Sequence, residues 1–237
     1  YNGATWYLLN EPDNANKDKQ IFYYRGSGNG YTNTMFWLRT GIGVMKFVHP
    51  DDTNRDEKDE YIRKKAEPAI RYAEILLIYA EALNELTGSY TVASWDGETQ
   101  YTIQRDINEM KKGIQPIRIR AGIPDYTPAE YEDQNLFREK LKRERQIELM
   151  GEGHRYYDIR RWKDADVEES LPIYGCNTLM TEKWKDVFHV PVAVPSLPTN
   201  FSRKMYFWPI SHSELKRNKM LTQNPCLLYT SPSPRDA

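Results

Sequence analysis

The strongest folding instruction in the chain lies between Pro68 and Gly88. Ile70, Ala73, Leu77 and Ala80 recur at steps of three and four, and Leu76 and Leu83 widen the stripe. Pro68 suits a first helical turn, where its missing N–H costs nothing. Gly88 suits a helix end. The spacing predicts one buried helix, with Ala73, Ala80 and Ala82 small enough to let another helix approach closely. A chain built round such a helix must supply partners for it.

Three further helical patterns follow. Residues 88–101 read as a loop, and Ile103, Ile107, Met110 and Ile114 then predict a second, shorter helix, weakened at its end by Gly113 and Pro116. Residues 121–124 read as a turn. Thr127-Pro128-Ala129-Glu130 is a capping box with proline at the first helical position. It predicts a third helix running through Phe137, Leu141 and Ile147 to about Met150, with Gly151 and Gly153 breaking or kinking it before residues 154–162. Ser211-His212-Ser213-Glu214 is a second capping box, opening a short helix that ends near Asn218. Helices alternating with loops predict stacked helical hairpins: a mainly α fold with long irregular loops and little strand.

The flanks read differently. Residues 1–66 are rich in Gly, Asn, Asp and aromatics, with little helical period. Residues 22–31 read as loop or hairpin, and residues 40–48 as a short strand or extended segment. Residues 51–56 form a solvated polar loop that lacks the Gly and closing Glu of a calcium loop. Residues 172–209 are irregular and proline-bearing, with residues 207–210 extended.

Composition narrows the function classes. The 237 residues carry a formal net charge of -1, which gives no pointer to nucleic acid or an anionic membrane surface. No stretch is long and apolar enough to span a bilayer. Aromatics make up 13% of the chain, with 17 tyrosines, so either the core is rich in Tyr or a surface uses Tyr and Trp for binding. Cys176 and Cys226 are too few to fix a redox compartment, and neither has metal-ligand spacing.

Glu144, Glu148 and Glu152 lie four apart, a single row of carboxylates if the helix extends that far. Like charges at this spacing repel, so cations must meet them wherever the row faces another helix. Arg143, Arg145, Arg155, Arg160 and Arg161 lie nearby, and Arg71 sits on the earlier helix. Bidentate guanidinium pairs predict a partly buried structural network of Arg71, Glu144, Glu148, Glu152, Arg155 and Arg161. The alternative is a glycosidase-type acid pair. It sits poorly on one helix face, because such groups flank a substrate from two sides.

His49, His154, His189 and His212 show no zinc-helix spacing. No GxSxG, P-loop or dinucleotide fingerprint is present. We therefore expect no catalytic residue, no metal and no cofactor. What remains is aromatic side chains in loops. Trp6, Tyr31, Trp37 and Trp95 are candidates for stacking on sugar rings, whose C–H faces are apolar; Trp95 stands among Ser94, Asp96 and Gly97. A loop aromatic folded back onto the core is the competing reading for each.

Three segments together resemble the C-terminal half of the SusD/RagB family. The first runs from Arg71 to Glu85, RYAEILLIYAEALNE. The second is RERQIEL from Arg143, running into EGHRYYDIRRW from Glu152. The third joins Trp208-Pro209-Ile210, Glu214-Leu215 and Gln223-Asn224-Pro225. Ile107-Asn108-Glu109 and Arg120-Ala121-Gly122-Ile123-Pro124 match a weaker pattern between them, so the likeness covers about residues 40–225.

The resemblance implies tetratricopeptide-like helix pairs, an α-α superhelix, in a lipid-anchored protein on the outer-membrane surface of a Gram-negative bacterium. It implies a SusC-like TonB-dependent transporter as partner and a glycan or other nutrient as ligand, bound without cleavage. The matched residues are framework in that family. A glycan-processing hydrolase and a purely structural helical-repeat scaffold are the alternatives.

Within this scheme residues 1–66 are a loop-rich, ligand-side segment of the same domain, and residues 67–225 are the helical region. Residues 111–119 look like an insertion. Residues 226–237 are expected to be a foreign, disordered tail, because CLLYTSPSPRD at 226–236 resembles a translated sequencing adapter where the family motif continues with Gly. A chain opening at Tyr1 without Met is expected to be a fragment lacking an N-terminal half with its lipidated Cys.

Overall fold

The computed structural model describes residues 25, 38–44, 46–47, 64, 68–180, 188, 190–194 and 199–224. Two compact units make up the chain, residues 66–162 and residues 1–65 with 163–237. The sequence readings at residues 51–56 and 226–237 fall outside the described residues.

The unit of residues 66–162 holds α1 (Tyr72–Asn84), β1 (Tyr90–Ala93), β2 (Gln100–Ile103), α2 (Ile107–Arg120), α3 (Pro128–Glu132), α4 (Gln134–Glu148) and α5 (His154–Arg161). α1 is the central element and packs on both α2 and α4. Ala73, Leu77, Ala80 and Leu83 turn inward to meet Met110, Ile114 and Ile117 of α2 and Phe137 and Leu141 of α4 in one core cluster. Burying each of the larger side chains contributes about 1.5–3 kcal/mol.

α1 starts later than its proline suggests. Arg71 is the N-cap, in extended conformation, and Pro68 and Ile70 precede the helix, Ile70 being exposed. Ala82 faces outward and takes no part in close packing. Gly113 permits the closest helix approach instead. A Cβ there would stand 2.5 Å from the Leu76 carbonyl oxygen and 2.9 Å from the Ala80 Cβ. This glycine therefore lies inside α2, which continues through it and through Pro116 to Arg120. Pro116 is on the exposed side of the helix, so the carbonyl it leaves without an N–H partner lies toward solvent.

Residues 88–101 are not a plain loop. β1 and β2 form an antiparallel hairpin with Tyr90 opposite Ile103 and Val92 opposite Tyr101. Ile103 thus belongs to a strand and not to the second helix. Asp106, four residues before Met110, caps α2 by accepting the Glu109 N–H at 3.0 Å.

The predicted third helix is two helices. Thr127 and Glu130 close the capping box that opens α3. Asp133 then leaves helical geometry (ψ 106°) and caps α4, accepting the N–H groups of Asn135 and Leu136 at 2.9 and 3.0 Å. The break has a packing consequence. Residues six apart on one continuous helix point about 120° away from each other, yet Tyr131 and Phe137 meet with ring centroids 4.6 Å apart. Tyr126 packs edge-on against both. Ile147 falls off the buried stripe and is 61% exposed; Glu144 and Arg145 occupy the inward positions that follow Leu141.

In the other unit α6 (Ala165–Glu168), β3 (Tyr174–Gly175), β4 (Val192–Ala193), a 3-10 turn at Arg203–Tyr206 and α7 (His212–Arg217) are joined by irregular chain. Ser211 caps α7 by accepting the Glu214 N–H. β3 pairs with β4, and the Cys176 N–H donates to the Thr40 carbonyl at 2.8 Å. The strand reading at residues 40–48 gives way to a turn closed by Gly41 N–H on the Leu38 carbonyl, with residues 42–44 outside any sheet. Gln223 holds Ile210 by both its amide groups, and Asn224 donates to the Trp208 carbonyl, so the closing segment folds back on itself. Among the described residues strand is limited to two short pairs, and the fold is mainly helical.

Candidate functional site

Charged side chains meet where α4 and the turn after it face α1 and α2. Arg71 reaches from the start of α1 to Glu152, with Nε on Oε2 and Nη2 on Oε1, both at 2.7 Å. The same guanidinium donates from Nη1 to Glu148 Oε1 at 3.0 Å, and Arg120 of α2 donates to the other Glu148 oxygen. Hydrogen bonding to Glu152 holds Arg71 protonated well above its ordinary range; burial opposes this, and the bond to Glu148 adds to it. α4 ends at Glu148, so Glu152 joins from the following turn and not from the helix.

Glu144 is buried. Its Oε2 accepts from Arg118 Nη1 at 2.7 Å and from the Tyr126 hydroxyl at 2.8 Å, and the Arg118 guanidinium lies 3.9 Å from the Tyr126 ring centroid. Burial, then the bond to Glu144, pushes the Tyr126 phenol above its usual range.

A second chain of contacts links α4, α5 and α1. Arg145 Nε donates to Asp158 Oδ2 at 2.9 Å, and Arg161 Nε donates to Asp158 Oδ1 at 2.9 Å. Arg161 also grips Glu81 through both carboxylate oxygens, and Trp162 Nε1 donates to Glu81 at 2.8 Å. Arg155 sits half-buried in the first turn of α5.

Arg118 and Tyr126 were not named from the sequence, and Glu81, Arg120 and Asp158 entered only inside the family-like segments. One signal was available. Glu74, Glu81 and Glu85 are spaced seven and four apart, one side of α1 left acidic in an otherwise apolar helix.

General acid–base catalysis needs a group free to reach a substrate proton. The oxygens of Glu148 and Glu152 instead face the guanidinium groups of Arg71 and Arg120. Two shallow hollows border the same frame. One, of about 270 Å³, is lined by Glu81, Glu85, Arg138, Leu141, Lys142 and Trp162. The other, of about 500 Å³, shares Glu81 and Glu85 with it and is lined besides by Glu74, Ile78, His154 and Tyr157 among others. Arg138 takes both oxygens of Glu85 and so holds that carboxyl below the usual range. Among the described residues no cluster of His, Cys, Asp and Glu is placed to hold a metal ion.

Of the four stacking candidates, Trp95 is described, and Trp6, Tyr31 and Trp37 lie outside the described residues. Trp95 stands at the tip of the β1–β2 hairpin, 98% exposed. The tip beneath it is tightly bonded. Ser94 N–H donates to the Thr99 carbonyl at 2.7 Å, Gly97 N–H to the Ser94 carbonyl at 2.9 Å, and Glu98 N–H to Asp96 Oδ1 at 3.0 Å. Gly97 supplies the left-handed turn (φ 77°) that a side chain would resist. The Ser94 hydroxyl, then the Glu98 N–H, holds the Asp96 carboxyl below its ordinary range.

The sequence profile of the SusD family matches residues 1–226. The chain belongs to the SusD family. SusD-like protein P2 of Formosa agariphila is 30% identical over 156 residues, covering 65% of this chain and 24% of that protein. The solved structure of BT4246 in selenomethionine form superposes with a TM-score of 0.66 at 25% identity, covering 84% of this chain and 31% of that one. A SusD-like protein from Bacteroides fragilis aligns at 29% identity with a TM-score of 0.49, over 66% of this chain and 25% of that one. The chain thus spans about a quarter to a third of the length of these relatives. The α1–α2 pair and its neighbours are tetratricopeptide-like helical hairpins of the SusD type. Among the described residues no helix is long and apolar enough to cross a membrane.

Proposed function

We propose that this chain is part of a non-catalytic capture protein. It binds glycans at the cell surface and passes them to a SusC-like TonB-dependent transporter, with a lipid anchor holding the whole protein at the outer membrane. SusD family membership supports nutrient uptake through glycan binding. The observation that carries the non-catalytic part is the Arg71 clamp, which spends the carboxylates of Glu148 and Glu152 on holding α1 to α4 and its following turn.

In this reading Arg71, Glu144, Glu148, Glu152, Arg155 and Arg161 are framework, and residues 67–225 form the scaffold. Trp6, Tyr31 and Trp37 within the ligand-side residues 1–66 and, by itself, Trp95 are the stacking candidates. Residues 226–237 take no part.

Native gels cast with a panel of polysaccharides test the capture step on the intact protein. Retardation by at least one glycan is expected, and Trp37→Ala weakens it by roughly fivefold, the loss of one aromatic contact. Co-purification with a SusC-like transporter tests delivery. A protein that no polysaccharide retards and that elutes without a transporter contradicts the proposal.

A further inference from the structure

The β1–β2 hairpin has two unlike faces. Cross-strand partners share a face. Tyr90 with Ile103 and Val92 with Tyr101 make one face, while Thr91 with Thr102 and Ala93 with Gln100 make the other. The first face is apolar, yet Tyr90, Val92 and Tyr101 are 47%, 40% and 54% exposed. A lone two-stranded ribbon is marginal in water unless its apolar face is used. Here the ribbon carries, beyond that face, a tryptophan held out on a rigid turn.

Charge narrows the occupant. The whole chain has 33 Lys and Arg residues, but residues 86–104 contain none, and the hairpin tip holds Asp96 and Glu98. Sulfate and uronate groups are recognised by guanidinium and ammonium donors, so a polyanion would meet two like charges on the hairpin and no counter-charge from the hairpin's own residues. An uncharged sugar chain meets flat aromatic faces for its C–H surfaces and the Tyr hydroxyls for its own. Tyr and Trp supply such contact area at little cost in conformational entropy.

We propose that the β1–β2 hairpin is a stacking platform for an uncharged glycan, formed by Tyr90, Val92 and Tyr101 on its apolar face and Trp95 at its tip. This rests on the capture reading above and adds to it a place and a charge class. At about 3.3 Å per residue the four-residue strands extend roughly 13 Å, so the platform takes a short stretch of the polymer.

The test compares the intact protein with its Trp95→Ala, Tyr101→Ser and Trp95→Phe variants. Native gels contain either neutral polysaccharides (a β-glucan, a xylan, a galactomannan) or anionic ones (alginate, a carrageenan). A neutral glycan is expected to retard the parent. Trp95→Ala and Tyr101→Ser each weaken that retention by roughly fivefold, and Trp95→Phe keeps most of it. Thermal melts followed by circular dichroism stay unchanged in Trp95→Ala. Retention of the parent by a glycan with no change in either variant removes the platform and leaves capture standing, as does retention by anionic glycans alone. A melting temperature lowered in Trp95→Ala with retention intact shows the face to be packed by another part of the protein, which also overturns the platform. No retention of the parent by any polysaccharide removes capture and platform together.

Discussion

Arg71 holds Glu152 through both carboxylate oxygens at 2.7 Å, across 81 positions of sequence. The guanidinium is partly buried, and its partners more so. Removing one member of such a cluster strands the others away from water. Arg71→Met is expected to destabilise the protein by roughly 2–4 kcal/mol. Arg71→Lys recovers little, because an ammonium cannot reproduce the planar two-point grip. Urea unfolding of parent and variants measures this; equal midpoints for Arg71→Lys and parent would count against a bidentate clamp.

The Arg145–Asp158 pair is the most buried ion pair among those described, with Arg161 completing the second Asp158 oxygen. Asp158→Ala leaves Arg145 buried without its counter-charge. The expected loss is about 3–5 kcal/mol, read from the same unfolding curves. A loss below about 1 kcal/mol, the scale of a surface pair, would contradict the burial.

Gly113 is where α2 touches α1. Alanine is the better helix former by about 1 kcal/mol, so on propensity alone Gly113→Ala would stabilise. Its Cβ, however, would lie 2.5 Å from the Leu76 carbonyl oxygen, which is backbone and yields only if the helix moves. Overpacking wins, and a net loss of roughly 1–2 kcal/mol is expected. A rise in melting temperature would show that the two helices separate freely.

These elements show what the sequence made legible. The inward stripe of α1 and the capping box at Thr127 are local signals that the structure carries; at Ser211 it forms the N-cap bond from the Glu214 N–H, half of the predicted box. The division of the third helix was also written locally, in Asp133 followed by Gln134 and Asn135, but Leu136 and Phe137 continue an apolar rhythm that masks it. The hairpin had a signal, since Tyr90 and Val92 flank Thr91 and Tyr101 and Ile103 flank Thr102, but it lasts only four residues in each strand, and the Ser94–Thr99 turn chemistry between them reads as loop. Gly113 and Pro116 read as helix breakers because propensity is a property of a single helix, and it was the close approach of α1 that decided their place.

Glu130 gives a pH signature. The bond from Lys140, then the N–H and hydroxyl of Thr127, lowers its carboxyl from 4.5 to about 2. A depressed carboxyl contributes stability that is present above 4.5 and is lost as pH falls toward 2. Melting temperature followed across that window is expected to fall less steeply in Glu130→Gln than in the parent. Parallel curves would mean that the capping box does not respond to this proton.

The central claim is that the protein holds glycan without cutting it. The most direct measurement is a prolonged incubation of the intact protein with a polysaccharide that retards it, followed for new reducing ends. The account predicts retention with no reducing sugar above the polysaccharide alone, in the parent and in Glu148→Gln and Glu152→Gln alike. Reducing ends released by the parent and abolished in either variant would contradict it.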